Sequence, residues 1–223
     1  MFKTEPVTTK GEQTRQHIFE RALELFREKG FETTTMQEVA LRAQVAKSAA
    51  YYYFPSKEAI IQAYYEQVQT EQERICEQAF AAARTLKERL KVAMVSKLDQ
   101  VAGDRQLLGV VFRYTGEPTH PLSCLGRGTA SIRQRSIAIF ERAIAPEKLP
   151  RDLEELLPLA LWALQMGLLV MFLYDESEGQ RRTRKLADGA LELTLKLLGL
   201  AKLPPLRPVR TRVLSLLKEA ELV

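Results

Sequence analysis

Apolar residues recur every three to four positions along most of this chain, a spacing that places them on one face of an α-helix. The first such segment covers residues 13–29 and is followed by Gly30, a residue suited to ending a helix. Few glycines or prolines interrupt the pattern, so an all-α fold is predicted. Further helices are predicted over residues 57–84, 86–102, 104–116, 128–144, 153–174, 180–200 and 209–220.

Two shorter helices joined by a tight turn are predicted between the first and second of these long segments. Thr35 and Glu38 fit a capping box that opens the first short helix. Pro55 ends the second, and Ser56 is placed to cap the helix that follows. Two short helices with a turn between them are typical of a helix-turn-helix DNA-binding motif.

Three consecutive tyrosines, Tyr51, Tyr52 and Tyr53, end the second short helix. Neighbouring residues on a helix point about 100° apart, so the three rings cannot all be buried against one core. We expect at least one ring to pack inward and at least one to face outward.

Charge by itself is a poor indicator of a nucleic-acid partner here. The chain has a net charge of +5 and a pI near 9.2. Residues 1–60, however, hold nine basic residues against eight glutamates, and much of the excess lies in the last forty positions. A DNA-binding function must therefore rest on the local motif.

Residues 14–65 resemble the tetracycline-repressor (TetR) family of bacterial transcription regulators. The matching elements are Lys29-Gly30-Phe31, the Thr-rich link, Val39-Ala40, Ala43-x-Val45, Tyr51-x-Tyr53-Phe54-Pro55 and Ser56-Lys57-Glu58. Gln44 stands where the family usually has glycine, which predicts a left-handed backbone at a non-glycine residue. Ala46 and Ala49 stand where hydroxyl side chains often cap the second helix or contact DNA.

The resemblance implies that the second short helix lies in the major groove of double-stranded operator DNA. Lys47 and Ser48 are then candidates for base contacts, and Lys57 for a phosphate contact at a helix start. The predicted DNA-binding residues are Thr35, Gln37, Lys47, Ser48, Tyr51, Tyr52, Tyr53 and Lys57.

Three parts of the chain are expected: a flexible arm (1–12), the helix-turn-helix domain (13–65) and a helical effector-binding and dimerisation domain (66–223). The resemblance implies a homodimer whose interface takes two helices from each subunit, and residues 153–174 and 180–200 fit that role. Such a dimer would bind a palindromic operator.

A small hydrophobic or amphipathic effector is expected to release the DNA, which would make the protein a repressor. Arg113 either anchors an anion or pairs with Glu117. The residues that line a binding pocket have much the same composition as an ordinary core, so each candidate is also compatible with a core position. The candidate effector-binding residues are Met94, Leu98, Phe112, Arg113, Tyr114, Trp162, Gln165, Met166 and Leu169.

Parts of the sequence also fit function classes other than a ligand-responsive repressor. Residues 156–174 carry no charge over nineteen positions, which leaves a single-pass membrane protein as an alternative. Cys76 or Cys124 would instead make a redox-responsive regulator if its thiol pKa were depressed. No catalytic constellation or metal-ligand spacing stands out, so we expect neither an enzyme nor a cofactor or metal. A cytoplasmic protein without a membrane partner is expected.

Overall fold

The computed structural model describes residues 9–220, which form α-helices and short 3₁₀ turns, with no β-strand in that range. The predicted all-α fold is therefore confirmed. The helices are α1 Lys10–Lys29, α2 Met36–Arg42, α3 Lys47–Tyr53, α4 Lys57–Ala82, α5 Leu86–Val101, α6 Arg105–Arg113, α7 Ala130–Ile144, α8 Arg151–Tyr174, α9 Arg181–Ala201 and α10 Arg207–Glu219.

The first helix begins earlier than its apolar pattern indicates. The backbone N–H of Thr9 donates to the Glu12 carboxylate at 2.7 Å, and the Glu12 N–H donates back to the Thr9 hydroxyl at 3.3 Å. This capping box starts α1 at Lys10, so the predicted arm of residues 1–12 is too long. Residues 1–8 of that arm lie outside the described residues.

A similar capping box accounts for the shortened end of α4. Thr85 and Glu88 exchange hydrogen bonds at the start of α5, and the Arg84 N–H also donates to Glu88 at 2.7 Å. These bonds hold residues 84 and 85 outside a helix. The helix predicted to run to residue 84 consequently ends at Ala82.

The helix-turn-helix segment forms as its local sequence predicts. Thr35 and Glu38 make the expected capping box at the start of α2. Gln44 adopts the predicted left-handed conformation, with φ of 54°. Ala46 precedes α3 without a side-chain cap, as expected for a residue that has no hydroxyl.

The chain divides into two compact units whose boundaries differ from the predicted domains. The N-terminal unit ends at Tyr65 but also contains Asp104–Gly128, and the C-terminal unit contains Glu66–Gly103 and the residues from Thr129 onward. The first boundary between the units follows residue 65. The assignment of residues 104–128 to the effector-binding domain does not match, because α6 packs on α1.

Asp104 joins three helices of the N-terminal unit. Its carboxylate accepts two hydrogen bonds from the Arg27 guanidinium of α1, at 2.6 and 2.9 Å, and one from the Tyr64 hydroxyl of α4 at 3.1 Å. The hydrogen bonds from Arg27, followed by that from Tyr64, lower the pKa of Asp104 against the opposing effect of burial. Leu107, which follows in α6, is almost completely buried.

In the C-terminal unit, the second part of α4 and the helices α5, α7, α8 and α9 surround one apolar core, and α10 packs on α8. Helix α8 is long and apolar enough, by length and composition, to cross a membrane. It nevertheless packs against α5, α7, α9 and α10 and buries Leu161, Leu168 and Phe172. These contacts are typical of the central helix of a globular domain.

We predict that Asp104→Asn lowers the free energy of unfolding by about 1–3 kcal/mol, since it weakens charge-assisted hydrogen bonds from Arg27 and removes the carboxylate beside Tyr64. Urea denaturation followed by circular dichroism at pH 7 measures the change.

Glu24→Gln is the matched control, because Glu24 forms a half-exposed pair with Arg21 three residues away on α1. We expect this change to alter stability by less than about 0.5 kcal/mol. Equal effects of the two substitutions would show that Asp104 does not hold α6 in place.

Candidate functional site

The outward face of α3 carries four of the predicted DNA-binding residues. Lys47, Ser48, Tyr51 and Tyr52 are exposed, with Tyr52 at 81% and Tyr51 at 44%. On the opposite side Ala50 is completely buried. The helix therefore presents an ammonium, a hydroxyl and two phenol groups to solvent from one short segment.

The three tyrosines divide as the helical geometry predicts. Tyr53 is half-buried, and its ring meets the edge of Tyr52 with centroids 5.1 Å apart. The Lys47 ammonium lies 6.0 Å from the centre of the Tyr51 ring, at the outer limit of a cation–π contact. These contacts restrain long side chains that would otherwise lose conformational entropy on binding.

The start of α2 presents Thr35 and Gln37 to solvent. The Thr35 hydroxyl and backbone N–H are both 2.8 Å from the Glu38 carboxylate, and Lys29 also donates to Glu38. The hydrogen bond from Lys29, followed by those from Thr35, lowers the pKa of Glu38 to about 2. Glu38 is thus ionised at neutral pH and fixes the orientation of Thr35.

Lys57 has intramolecular partners that the sequence did not reveal. Its ammonium donates to the backbone carbonyls of Phe31 and Glu32, both at 3.0 Å, and lies 4.5 Å from the centre of the Phe31 ring. Lys57 therefore ties the start of α4 to the turn after α1. An ammonium has three donors, so these two bonds leave one for a phosphate.

The nine candidate effector-binding residues fall in two different units. Phe112, Arg113 and Tyr114 belong to the N-terminal unit. The other six belong to the C-terminal unit, where Met166 is half-buried and the buried residues are Met94, Leu98, Trp162, Gln165 and Leu169. Met94 and Trp162 are members of the apolar core, and Met166 packs against it.

Arg113 pairs with Glu32 and not, as one predicted alternative had it, with Glu117. The Arg113 guanidinium donates to the Glu32 carboxylate at 2.8 Å, and the Tyr114 hydroxyl donates to the same carboxylate at 2.6 Å. The hydrogen bond to Glu32 raises the pKa of Tyr114 to about 12. Both side chains thus act as structural ties within the N-terminal unit.

A set of polar side chains in the interior of the C-terminal unit, buried except for the half-buried Lys97, was missed by the sequence analysis. We call it the polar band, and it consists of Gln69, Gln72, Lys97, Ser136 and Gln165. Its signal in the sequence is the presence of polar residues at positions that the helical spacing assigns to a buried face.

Hydrogen bonds connect the polar band across α4, α5, α7 and α8. Ser136 donates to the Gln69 side-chain oxygen at 2.5 Å, and Lys97 donates to the same oxygen at 2.8 Å. The side-chain amides of Gln72 and Gln165 both donate to the Ala93 carbonyl, at 2.9 and 2.8 Å. Ala93 is one helical turn before Lys97, so these groups share one face of α5.

A two-helix motif with this exposed face defines a helix-turn-helix DNA-binding protein. Residues 18–64 match the family model described as bacterial regulatory proteins, tetR family. Residues 89–214, more than half of the chain, match the model of the tetracyclin repressor-like C-terminal domain. The chain belongs to the TetR family of transcriptional regulators.

Individual relatives agree with this assignment. YuxN, an HTH-type transcriptional regulator of Bacillus subtilis, is 50% identical over 44 residues, which cover 20% of this chain and 15% of YuxN. A TetR transcriptional regulator from Nitrosomonas europaea has a similar fold, with 22% identity, 80% of this chain and 96% of that chain covered, and a TM-score of 0.64. FadR of Bacillus subtilis, solved in complex with stearoyl-CoA, gives 20% identity, the same coverages and a TM-score of 0.63.

We predict that Lys47→Ala and Lys57→Ala both weaken DNA binding but differ in other properties. Among residues 9–220 the one contact found for the Lys47 ammonium is with the Tyr51 ring, so loss of Lys47 should change sequence preference and leave the melting temperature unchanged. Loss of Lys57 should weaken binding to all sequences, reduce the slope of log K against log salt by about 1, and lower the melting temperature. Gel shifts over a salt series and thermal denaturation measure these effects.

Lys87→Ala is the matched control, because Lys87 is an exposed lysine of the C-terminal unit with only a 3.8 Å ion pair. It should change neither affinity nor stability. A Lys57→Ala variant with lowered stability but an unchanged salt slope would assign Lys57 a structural role alone, and unchanged binding by both variants would refute the predicted DNA-binding face.

Proposed function

We propose that this protein is a ligand-responsive repressor that binds a palindromic operator as a homodimer and is released by a small hydrophobic or amphipathic effector. The observation that carries the proposal is the outward face of α3, where Lys47, Ser48, Tyr51 and Tyr52 are exposed together. Lysine and serine side chains suit base edges in the major groove, and tyrosine hydroxyls suit phosphates.

Exposed apolar side chains on α9 support the dimer. One face of this helix is buried within the subunit by Ala187, Leu191 and Leu198. A second face leaves large side chains in solvent, among them Leu193 at 61% and Leu197 at 62% exposure. A helix with an apolar face on each side is expected where a second subunit covers the outer one.

The exposed face of α8 carries small side chains, which complement the large exposed side chains of α9. Small residues occur there at helical spacing, at Ala160, Ala163 and Gly167, followed by Met171 and Tyr174. A Cβ added at Gly167 would meet no atom within 4 Å in the subunit. Small side chains allow close approach of another helix, so α8 and α9 of two subunits would form a four-helix interface around a two-fold axis.

Such a dimer would present two copies of α3 to one duplex. Two recognition helices that read successive major grooves lie about 34–36 Å apart, one turn of DNA. Two-fold symmetry of the protein then requires an inverted repeat in the operator.

An effector would release the DNA by shifting the dimer from a conformation that binds the operator to one that does not. Helix α4 begins in the N-terminal unit, directly after the helix-turn-helix motif, and continues into the C-terminal unit, so a ligand contacting its second part would act on the motif through one continuous helix. Near-complete release requires an affinity difference of about 10⁴-fold between the two states. The fold shared with a FadR that binds stearoyl-CoA supports an amphipathic effector.

The burial of Cys76 argues against a redox input at this thiol. Cys76 is buried, and burial raises the pKa of its thiol, which disfavours the reactive thiolate. Cys124 is half-buried with its sulfur 3.3 Å from the Thr115 hydroxyl. We propose that the protein works in the cytoplasm as a DNA-bound regulator whose input is a small molecule.

We predict that selection from a random pool of double-stranded DNA enriches an inverted repeat with half-sites centred one helical turn apart. The expected result follows from a two-fold dimer that carries one α3 per subunit. Sequencing of the bound pool measures it, and recovery of no common sequence, or of a single half-site alone, would contradict the proposal.

We predict that Leu197→Glu converts the dimer to a monomer, because it places a charge on the apolar outer face of α9. Size-exclusion chromatography with light scattering measures the mass, and a gel shift should show loss of operator binding. Leu125→Glu is the control, since Leu125 is equally exposed, at 60%, but lies in the N-terminal unit. A dimer that survives Leu197→Glu would place the interface elsewhere.

A further inference from the structure

The polar band occupies a region where an ordinary core would be apolar. Gln69 and Gln72 are completely buried, and Gln165 is 2% exposed. Gln72 and Gln165 both reach the carbonyl of Ala93, a member of the apolar core. Placing so many polar groups in a core disfavours folding unless each is hydrogen-bonded, so their partners indicate whether they serve the fold alone.

The ammonium of Lys97 is not needed to complete this network. Its one short hydrogen bond goes to the Gln69 side-chain oxygen, which already accepts the Ser136 hydroxyl at 2.5 Å. The remaining contact, with the Ser136 oxygen, is long at 3.4 Å. If Lys97 were removed, the Gln69 oxygen would keep its hydrogen bond from Ser136, whereas the ammonium has three donors and makes one short hydrogen bond.

The charge of Lys97 is also poorly compensated. Within residues 9–220 no carboxylate lies within 4.0 Å of its nitrogen. Glu73, the carboxylate that acts on the Lys97 charge, is engaged by Arg135, which donates to it twice, at 3.0 and 2.7 Å. Burial lowers the pKa of Lys97 to about 8, opposed in part by Cys76 and Glu73 and reinforced by Arg135.

Gln72 supplies a second group without a partner. Its amide nitrogen donates to the Ala93 carbonyl, but its buried side-chain oxygen accepts no hydrogen bond from any residue in the described part of the chain. A buried unsatisfied acceptor costs about 1–3 kcal/mol. The polar band thus contains an unused cationic donor and an unused acceptor on adjoining helices.

We propose that the polar band is the binding site for the acidic end of the effector, an amphipathic carboxylic acid whose carboxylate pairs with Lys97. A hydroxyl or N–H of the same molecule would donate to the Gln72 oxygen, and its apolar part would lie against the surrounding core. This inference rests on the proposed effector-released repressor and specifies the chemistry of its ligand.

The first test needs no ligand. Lys97→Met keeps the length of the side chain and removes its charge, so the melting temperature should stay the same or rise, since a half-buried charge without a carboxylate partner disfavours folding. Lys91→Met is the control, because Lys91 is an exposed lysine of the same helix, paired with Asp188 at 3.0 Å. If Lys97→Met instead lowered the melting temperature by about 3 °C or more, Lys97 would be a structural residue and the proposal would fail.

The second test uses straight-chain carboxylates of six to twelve carbon atoms and the corresponding primary amides, with isothermal titration calorimetry as the readout. Carboxylates should bind the wild type and Lys91→Met, while Lys97→Met should bind them more weakly by on the order of tenfold or more. The amides should bind the wild type no better than they bind Lys97→Met.

Three results would overturn the inference: no carboxylate of the series binds, the amides bind as tightly, or Lys97→Met binds the acids unchanged. The same preparations are assayed on DNA, which separates this inference from the proposed function. Wild-type protein that selects a DNA sequence but binds no carboxylate refutes the polar-band site alone. Protein that selects no DNA sequence refutes the proposed repressor, whatever the acids do.

Discussion

The carboxylate of Asp104 is the constraint on which the N-terminal unit depends. It accepts hydrogen bonds from Arg27 of α1 and Tyr64 of α4 and immediately precedes α6, so a single side chain fixes three helices. At the other end of α6, Arg113 and the adjoining Tyr114 bind Glu32 in the turn after α1. The scaffold behind the DNA-binding motif is therefore held by contacts between residues about eighty positions apart.

Local features of the fold could be predicted because their causes are local. The capping box of Thr35 with Glu38 and the left-handed turn at Gln44 each involve residues only a few positions apart. The outward direction of Tyr51 and Tyr52 follows from the helical period. The position of residues 104–128 has no such signal, since periodicity shows that α6 has a buried face but not which helix covers it.

Residue roles were less predictable than residue positions. A lysine or arginine side chain extends several ångströms from the backbone, so its partner depends on tertiary structure, as the ties of Lys57 to Phe31 and of Arg113 to Glu32 show. Candidate effector residues such as Met94 lie in the core, because core and pocket linings share the same composition. The polar band has a weak sequence signal, polar residues at buried positions of the helical pattern, and burial in the structure then identifies Gln69 and Gln72 as interior residues.

Residues 104–128 belong to the N-terminal unit although they follow a segment of the C-terminal unit, and this has a consequence for protein engineering. Chimaeric regulators are made by joining the DNA-binding part of one protein to the sensing part of another at a single junction. A junction after Tyr65 in this chain would leave Arg27 and Glu32 without Asp104, Arg113 and Tyr114. A functional exchange must therefore transplant a discontinuous module, with junctions near residues 65, 104 and 128.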